Sequence, residues 1–336
     1  MPNTRLPLVT VVLPIRNEGP FIARCLDALV KQDYPTDRME VVIADGMSTD
    51  GTRDIVAAAC ARHAAWRMID NPGRIVPTGL NAAIADARGE IVVRVDGHCE
   101  VSPDYVTRCV HHLQHGSDAV GGPLETIGAS KMAQAIALAM GSSFGVGNSA
   151  FRTSSGKTMY VDTVAFPAYT RAVLDRLGPF DEELVRNQDD EYNYRLRKAG
   201  GRILLAADVR SRYFSRSSIK SLWRQYFQYG YWKVRVLQKH PRQMCARQFV
   251  PPVFAAVLAG AALASPFAAL AAWLLIAVLG SYLLANAYAS TRVARGGVGV
   301  LRLVSVAFAT LHVAYGSGFL YGLVRFFPRW FHRGIA

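Results

Sequence analysis

The chain has 336 residues, enough for one large domain or two ordinary ones. Lys and Arg exceed Asp and Glu by 13, but the last acidic residue is Asp208: 16 of the 38 basic residues follow it, and the first 208 residues, with 22 basic and 25 acidic side chains, are net −3. Basic charge confined to a region with long uncharged stretches fits an anionic membrane surface and argues against nucleic acid as partner. Five isolated cysteines, with no C-x-x-C, exclude a disulfide framework and read as buried small hydrophobes of a reducing compartment.

The polar N-terminus reads as carrying no signal peptide and enters a strand by about residue 8. Leu8 to Leu13 is a β-rich apolar run, followed by Pro14-Ile15-Arg16-Asn17-Glu18. Phe21, Ile22, Cys25, Leu26 and Leu29 then mark one helix face. Met39 to Ala44 predicts a second strand ending on Asp45, with a turn through Asp50 and a helix over Thr52 to Arg62. Trp66 to Ile69 predicts a short strand, Asn71-Pro72-Gly73-Arg74 a loop and Gly79 to Ala87 a helix. Val92 to Val95 is a buried strand stopping at Asp96-Gly97-His98. Asp96 and His98 stand two apart at its end, where Gly97 lets both turn toward one point. A carboxylate and a neutral imidazole suit a divalent cation of the Mn or Mg kind carrying phosphate oxygens. Pro103 to His115 reads as helix and Ala119 to Gly121 as strand. Alternating strands and helices imply an α/β domain with a mostly parallel sheet. No G-x-G-x-x-G follows the first strand, which disfavours a dinucleotide cofactor.

Residues 123 to 160, with Gly145-Val146-Gly147-Asn148-Ser149, read as a mobile stretch bordering a site. Val161 to Pro167 predicts a strand and Arg171 to Leu177 a helix. Asp189-Asp190-Glu191 opens another helix. Mutual repulsion within such a group can hold one carboxylate at a raised pKa, fit for general-base work. From 210 to 248 aromatic and basic residues interleave. That mixture suits a bilayer headgroup layer or single-stranded nucleic acid. The neighbouring sequence decides for membrane: Phe249 to Thr291 carries no charge over 43 residues and Leu303 to Val324 none over 22, His312 aside. The expected organisation is a catalytic domain over 1–214, membrane-interface helices over 215–248 and a transmembrane domain over 249–336, with spans at 249–265, 267–290 and 303–324.

The runs Val11 to Glu18, Ala44 to Thr52 and Arg94 to His98, in this order on predicted strand ends, resemble the inverting family 2 glycosyltransferases of GT-A fold, in their membrane-anchored branch. The resemblance covers roughly residues 8–240 and implies a Rossmann-like nucleotide-sugar-binding domain followed by helical membrane segments. It implies that Pro14, Arg16, Glu18, Asp45, Arg74 and Asp96 border the nucleotide, and that Asp96 and His98 occupy the family's D-x-D metal site, with His98 in place of the second Asp. It places Asp189 at the catalytic aspartate, with Gln188 where a Glu is usual. Gln228-Tyr229-Gly230-Tyr231-Trp232 resembles Q-x-x-R-W, with Tyr231 in place of Arg, a departure that argues against processive polymerisation. Gln228 and Trp232, four apart on a helix face, and Asp190 are the expected acceptor-side residues.

The expected reaction is transfer of a hexose, glucose from UDP-glucose as the first choice, to a lipid-linked oligosaccharide of an exported polysaccharide. A cation neutralises the departing diphosphate while Asp189 deprotonates the acceptor hydroxyl. A polyprenyl-phosphate acceptor and a catalytically silent nucleotide-sugar-binding subunit are the alternatives, and a homo-oligomer is left open. The expected location is the bacterial inner membrane, with residues 1 to about 245 cytoplasmic. Arg292, Arg295 and Arg302 then sit in a cytoplasmic loop. Three full spans put Arg325, Arg329 and Arg333 outside, against the positive-inside rule. The other arrangement is a third segment that is re-entrant or packed in the interface, helped by Gly316, Gly318 and Gly322.

Overall fold

Val9-Thr10-Val11-Val12-Leu13-Pro14-Ile15 is buried along its whole length, as a β-branched run at the centre of a two-sided parallel sheet must be. The computed structural model describes residues 6–147, 149–154, 156–294 and 297–330; Asn148, Arg295 and Arg333 lie outside them. In chain order the elements are β1 Val9–Ile15, α1 Ile22–Val30, β2 Met39–Asp45, α2 Thr52–Arg62, β3 Trp66–Asp70, α3 Val76–Asp86, β4 Ile91–Arg94, β5 Cys99–Val101, α4 Tyr105–Gln114, β6 Ala119–Gly122, β7 Leu124–Ile127, α5 Lys131–Met140, α6 Ser143–Val146, α7 Ala150–Thr153, β8 Met159–Tyr160, β9 Ala165–Thr170, α8 Arg171–Leu177, α9 Gln188–Lys198, β10 Ile203–Leu205, β11 Ser211–Phe214, α10 Ile219–Lys239, α11 Val250–Ala264, α12 Ala269–Val293 and α13 Val298–Arg325.

The chain divides into two compact units. The first holds the residues up to Glu125 together with Ala150–Tyr213; the second holds Thr126–Ser149 and everything from Phe214 onward.

The first unit is built on an eight-stranded sheet in the order β3-β2-β1-β4-β9-β6-β10-β8. Strands β3, β2, β1 and β4 are parallel, while β9 runs antiparallel between β4 and β6. The sheet is therefore mostly parallel, as expected. The strand predicted over Val161 to Pro167 begins later, at Ala165, and continues to Thr170. Register sets Ile15, Asp45 and Asp70 abreast at the carboxyl edge. Ligands of open α/β sheets sit at that edge. One apolar cluster joins Val12, Val42 and Val92 of the sheet to Tyr169, Phe180, Tyr192 and Leu196, which ties α9 to the sheet. Phe180 stacks on Tyr192 at 4.0 Å, and the Tyr169 hydroxyl donates to Asn193 Oδ1 at 3.0 Å.

The part of the expected mobile stretch that lies in the second unit holds a regular helix: Lys131–Met140 forms α5, capped by the Ser130 hydroxyl and buried through Ala133, Ala135, Ile136, Ala139 and Met140. Small residues hide its apolar stripe from a hydropathy reading. Three segments, Ala246–Ala264 (α11 with the helical turn before it), Ala269–Val293 (α12) and Val298–Arg325 (α13), are long and apolar enough to cross a membrane by length and composition. The break expected at Ser265-Pro266 is the turn between α11 and α12.

Candidate active site

The first strand end makes a platform of two loops laced together. Asn17 N–H donates to Ser48 Oγ (2.8 Å), Thr49 N–H to Asn17 Oδ1 (2.9 Å), Glu18 N–H to Thr52 Oγ1 (2.9 Å) and Gly19 N–H to Asp50 Oδ2 (3.0 Å). Asp50 is thus a structural clasp. Asn17, Met47, Arg74 and Asn187 all have φ between +54° and +64°. Such backbone is unfavourable for residues other than glycine and clusters at functional sites. Three of these residues follow β1, β2 and β3, and the fourth precedes α9.

Asp45 ends β2 with its side chain fully buried. Oδ2 receives Arg53 Nη1 at 2.6 Å and Ser48 N–H at 3.0 Å, whereas Oδ1 has no hydrogen-bond partner among the described residues. A buried carboxylate oxygen without a donor is costly, and a base or sugar hydroxyl of a bound nucleotide would satisfy it. Arg53 also pairs with Asp70 at 2.8 Å, joining the ends of β2 and β3. Pro14 is buried in β1, while Arg16 and Arg74 are exposed, with Arg16 Nη1 donating to the Arg74 carbonyl at 3.3 Å.

The end of β4 carries the second group. Arg94 is a cation in a buried strand, its side chain 7 % exposed. Its Nε and Nη2 donate to Asp96 Oδ1 and Oδ2 at 3.0 and 3.3 Å, and its Nη1 lies 3.9 Å from Asp189 Oδ2. One guanidinium therefore holds together the two carboxylates singled out in the sequence. Burial works against its charge, but Asp96 and Asp189 outweigh that and keep its pKa above the ordinary value. Asp189 faces solvent on one side, 39 % exposed, yet lies deep among protein atoms. That desolvation raises its pKa; Asp190 and Asp96 raise it too, while Arg94 and the Asp190 N–H lower it. A poised base has this kind of environment.

The acidic triplet is divided by the helix. Glu191 turns inward to pair with Arg195 at 2.7 Å, while Asp190 gives its N–H to Asp189 Oδ1 at 2.9 Å. His98 Nδ1 lies 2.8 Å from Glu18 Oε1, so Glu18, expected at the nucleotide, meets the imidazole. A carboxylate only accepts, so Nδ1 is the donor, and the contact orients the ring in the way that outer carboxylates orient metal-binding histidines. A Cβ on Gly97 would stand 2.9 Å from Glu18 Cγ and 3.0 Å from Ile15 Cγ2, so this turn has no room for a side chain. Among the described residues no group of three or more His, Cys, Asp or Glu is assembled to hold a metal ion. Asp96 and His98, the expected metal ligands, pair here with Arg94 and Glu18 respectively. Gln228 and Trp232 stand on α10 of the second unit, where the Trp232 ring packs against Tyr231 and Phe326 at 5.2 and 5.8 Å.

The sequence reading gave Arg94 and Arg53 no role. A charged residue inside a buried strand, on the same face as a carboxylate two positions on, was the available signal for Arg94. Arg53, in the first turn of α2, carries no comparable signal.

The chain belongs to glycosyl transferase family 2, whose profile matches residues 10–178, and its mostly parallel sheet is that of a GT-A nucleotide-sugar-dependent transferase. It is 31 % identical over 327 residues to the succinoglycan biosynthesis protein ExoA of Rhizobium meliloti, covering 94 % of this chain and 95 % of that protein. It is 25 % identical over 240 residues, 69 % of this chain and 74 % of the relative, to the dolichyl N-acetyl-α-D-glucosaminyl phosphate 3-β-D-2,3-diacetamido-2,3-dideoxy-β-D-glucuronosyltransferase of Methanococcus voltae. The fold is shared with the mannosyltransferase PcManGT from Pyrobaculum calidifontis, solved with GDP-Man and Mn2+, at a TM-score of 0.58 and 22 % identity, covering 95 % of this chain and 88 % of that one.

Proposed function

We propose that this glycosyltransferase moves a hexose, with inversion, from a nucleotide donor to a lipid-linked saccharide during synthesis of an exported polysaccharide. UDP-glucose is the first-choice donor. The observation that carries the reading is the pairing of Asp96 and Asp189 on Arg94. It ties the carboxylate that would face the diphosphate to the one that would face the acceptor. Asp189 takes the proton of the acceptor hydroxyl as that oxygen bonds to the anomeric carbon, and the bond from that carbon to the diphosphate breaks with its electrons leaving on the nucleotide. Asp96 and His98 would hold a divalent cation, Mn or Mg, which neutralises charge on the departing diphosphate. Asp45, through its unpaired Oδ1, would take the base or ribose, bordered by Pro14, Arg16 and Arg74; Glu18 would act through His98. Gln228, Trp232 and Asp190 would serve the acceptor.

The names of the R. meliloti and M. voltae relatives support a polysaccharide product and a lipid-linked acceptor. The three apolar helices support membrane attachment, with the catalytic unit on the cytoplasmic face of a bacterial inner membrane, where sugar nucleotides are found. The test is a screen of sugar nucleotides for protection against thermal unfolding. Transfer from the protective donor to extracted lipid-linked acceptors follows, with Asp189→Asn as the control. Donor binding without transfer by the unmodified protein would mark a binding subunit instead.

A further inference from the structure

Within the second unit α10 and the C-terminal half of α13 run side by side in the same direction. A Cβ on Gly318 would lie 2.1 Å from the Phe227 carbonyl oxygen, one on Gly230 2.0 Å from that of Tyr315, and one on Gly322 2.8 Å from that of Tyr231. Further along, Tyr231 and Trp232 pack on Phe326, and Gln238 Nε2 donates to the Phe326 carbonyl at 2.9 Å. Glycine-to-backbone contact of this kind leaves no space for lipid between the helices. The two helices share one depth.

Helix α10 cannot lie in hydrocarbon. It carries Lys220, Arg224, Lys233, Arg235 and Lys239 with no acidic residue, and cations near a bilayer centre are strongly disfavoured. Helix α13 also meets α11 in its first turn and α12 in its C-terminal half. A Cβ on Gly316 would lie 2.4 Å from the Pro251 carbonyl oxygen, in the first turn of α11 and four residues past Arg247. Asn286 Nδ2 donates to the Ser305 carbonyl at 3.0 Å, about two turns before α12 ends beside Arg292, and Tyr282, at the midpoint of α12, shares a 2.9 Å hydrogen bond with His312. Exposure separates the helices in the same way. Leu263, Phe267 and Leu270, around the α11–α12 turn, are 76 %, 89 % and 82 % exposed, whereas Val304, Phe308, Leu311, Ala314 and Phe319 of α13 are buried by protein.

We infer that α13 lies in the plane of the membrane interface beside α10, so that the α11–α12 hairpin alone enters the hydrocarbon and Phe326 to Trp330 stay on the side from which α11 departs. The partner of this surface is the headgroup layer of one anionic leaflet. Arg325 and Arg329 then obey the positive-inside rule, which three spans violate.

The test places single nitroxide labels at Val306→Cys and Val324→Cys, both exposed positions on α13, in the full chain with Cys60→Ser and Cys245→Ser, the other cysteines being buried. The protein is reconstituted in vesicles of phosphatidylethanolamine and phosphatidylglycerol, and label depth is read from the relative access of oxygen and of a nickel chelate. The two positions are about 27 Å apart along a helix axis. An in-plane helix gives depths within about 5 Å of each other, both shallow; a difference above about 20 Å overturns the inference. A label at Phe267→Cys reports the hairpin and should be deeply buried or on the far side. In cells, an impermeant maleimide should reach Phe327→Cys only after the membrane is opened; labelling in intact cells also overturns it.

Discussion

Replacing Arg94 by Met keeps an unbranched apolar stem, shorter than that of Arg, and removes the charge that joins Asp96 to Asp189. At 3.9 Å and an effective dielectric constant of about 20, the Arg94–Asp189 attraction is about 4 kcal/mol. Solvent at Asp189 reduces this to about 1 kcal/mol. The Arg94–Asp96 pair is drier, and losing one partner of such a pair costs about 3 kcal/mol. The variant should therefore unfold at lower denaturant, with about 3 kcal/mol lost at neutral pH. Its catalytic pH profile should move as well. Burial raises the Asp189 pKa and Arg94 opposes that rise; without Arg94 the carboxyl is protonated to higher pH, and the acidic limb of kcat shifts upward. Arg94→Lys should restore part of the stability but not the two-pronged hold on Asp96. Chemical denaturation of both variants, with pH profiles of transfer, tests this. A Met variant within about 0.5 kcal/mol of the parent, with an unmoved acidic limb, would refute the role assigned to Arg94.

Asp189→Asn should abolish transfer and leave donor affinity within a few-fold, read by calorimetry alongside turnover. Because burial raises the native Asp189 pKa, this group's contribution to stability is fully present below its unfolded pKa and declines as pH rises through the folded value. The Asn variant should thus be as stable as the parent or more so at pH 7, and a large drop in melting temperature would count against the environment described. Asp45→Ala should weaken nucleotide-sugar binding about 10- to 100-fold, through loss of a charged hydrogen bond at Oδ1; an unchanged Kd would remove Asp45 from the nucleotide site. Glu18→Ala should weaken divalent-cation activation about tenfold or more by freeing the His98 ring, measured as the Mn or Mg concentration for half-maximal rate. Glu40 tests the fold rather than the site. Burial raises its pKa, but hydrogen bonds from Arg67, Thr10 and the Arg88 N–H prevail and lower it. Its stabilisation is present above the unfolded pKa and lost as pH falls through the folded value, so Glu40→Gln should melt earlier than the parent at pH 7 and lose less between pH 7 and pH 4.

Local pattern was enough to place β1, β2 and β4, because a strand covered on both faces must be an almost unbroken apolar run, and such a run is visible without its neighbours. Helix α2 and helix α8 were equally legible from their start and stop residues. Asp45 and Asp96 stood out at strand ends, and Asp189 in an acidic run at a helix start, where the resemblance to family 2 glycosyltransferases gave each a role. Other features depend on distances between residues far apart in the chain. Helix α5 was hidden because alanines make a weak hydrophobic pattern. Arg94 acquires its meaning only when α9, held by Phe180, Tyr169 and Asn193, brings Asp189 from 95 positions further along the chain to 3.9 Å. Glu18 and His98 meet across 80 residues, because β1 and β4 are parallel neighbours and a glycine between Asp96 and His98 leaves room for the Glu18 chain. Hydropathy alone rates α11, α12 and α13 alike as spans. What distinguishes α13 is the backbone packed against its glycines, and one-dimensional composition carries no information about which apolar faces meet protein and which meet lipid.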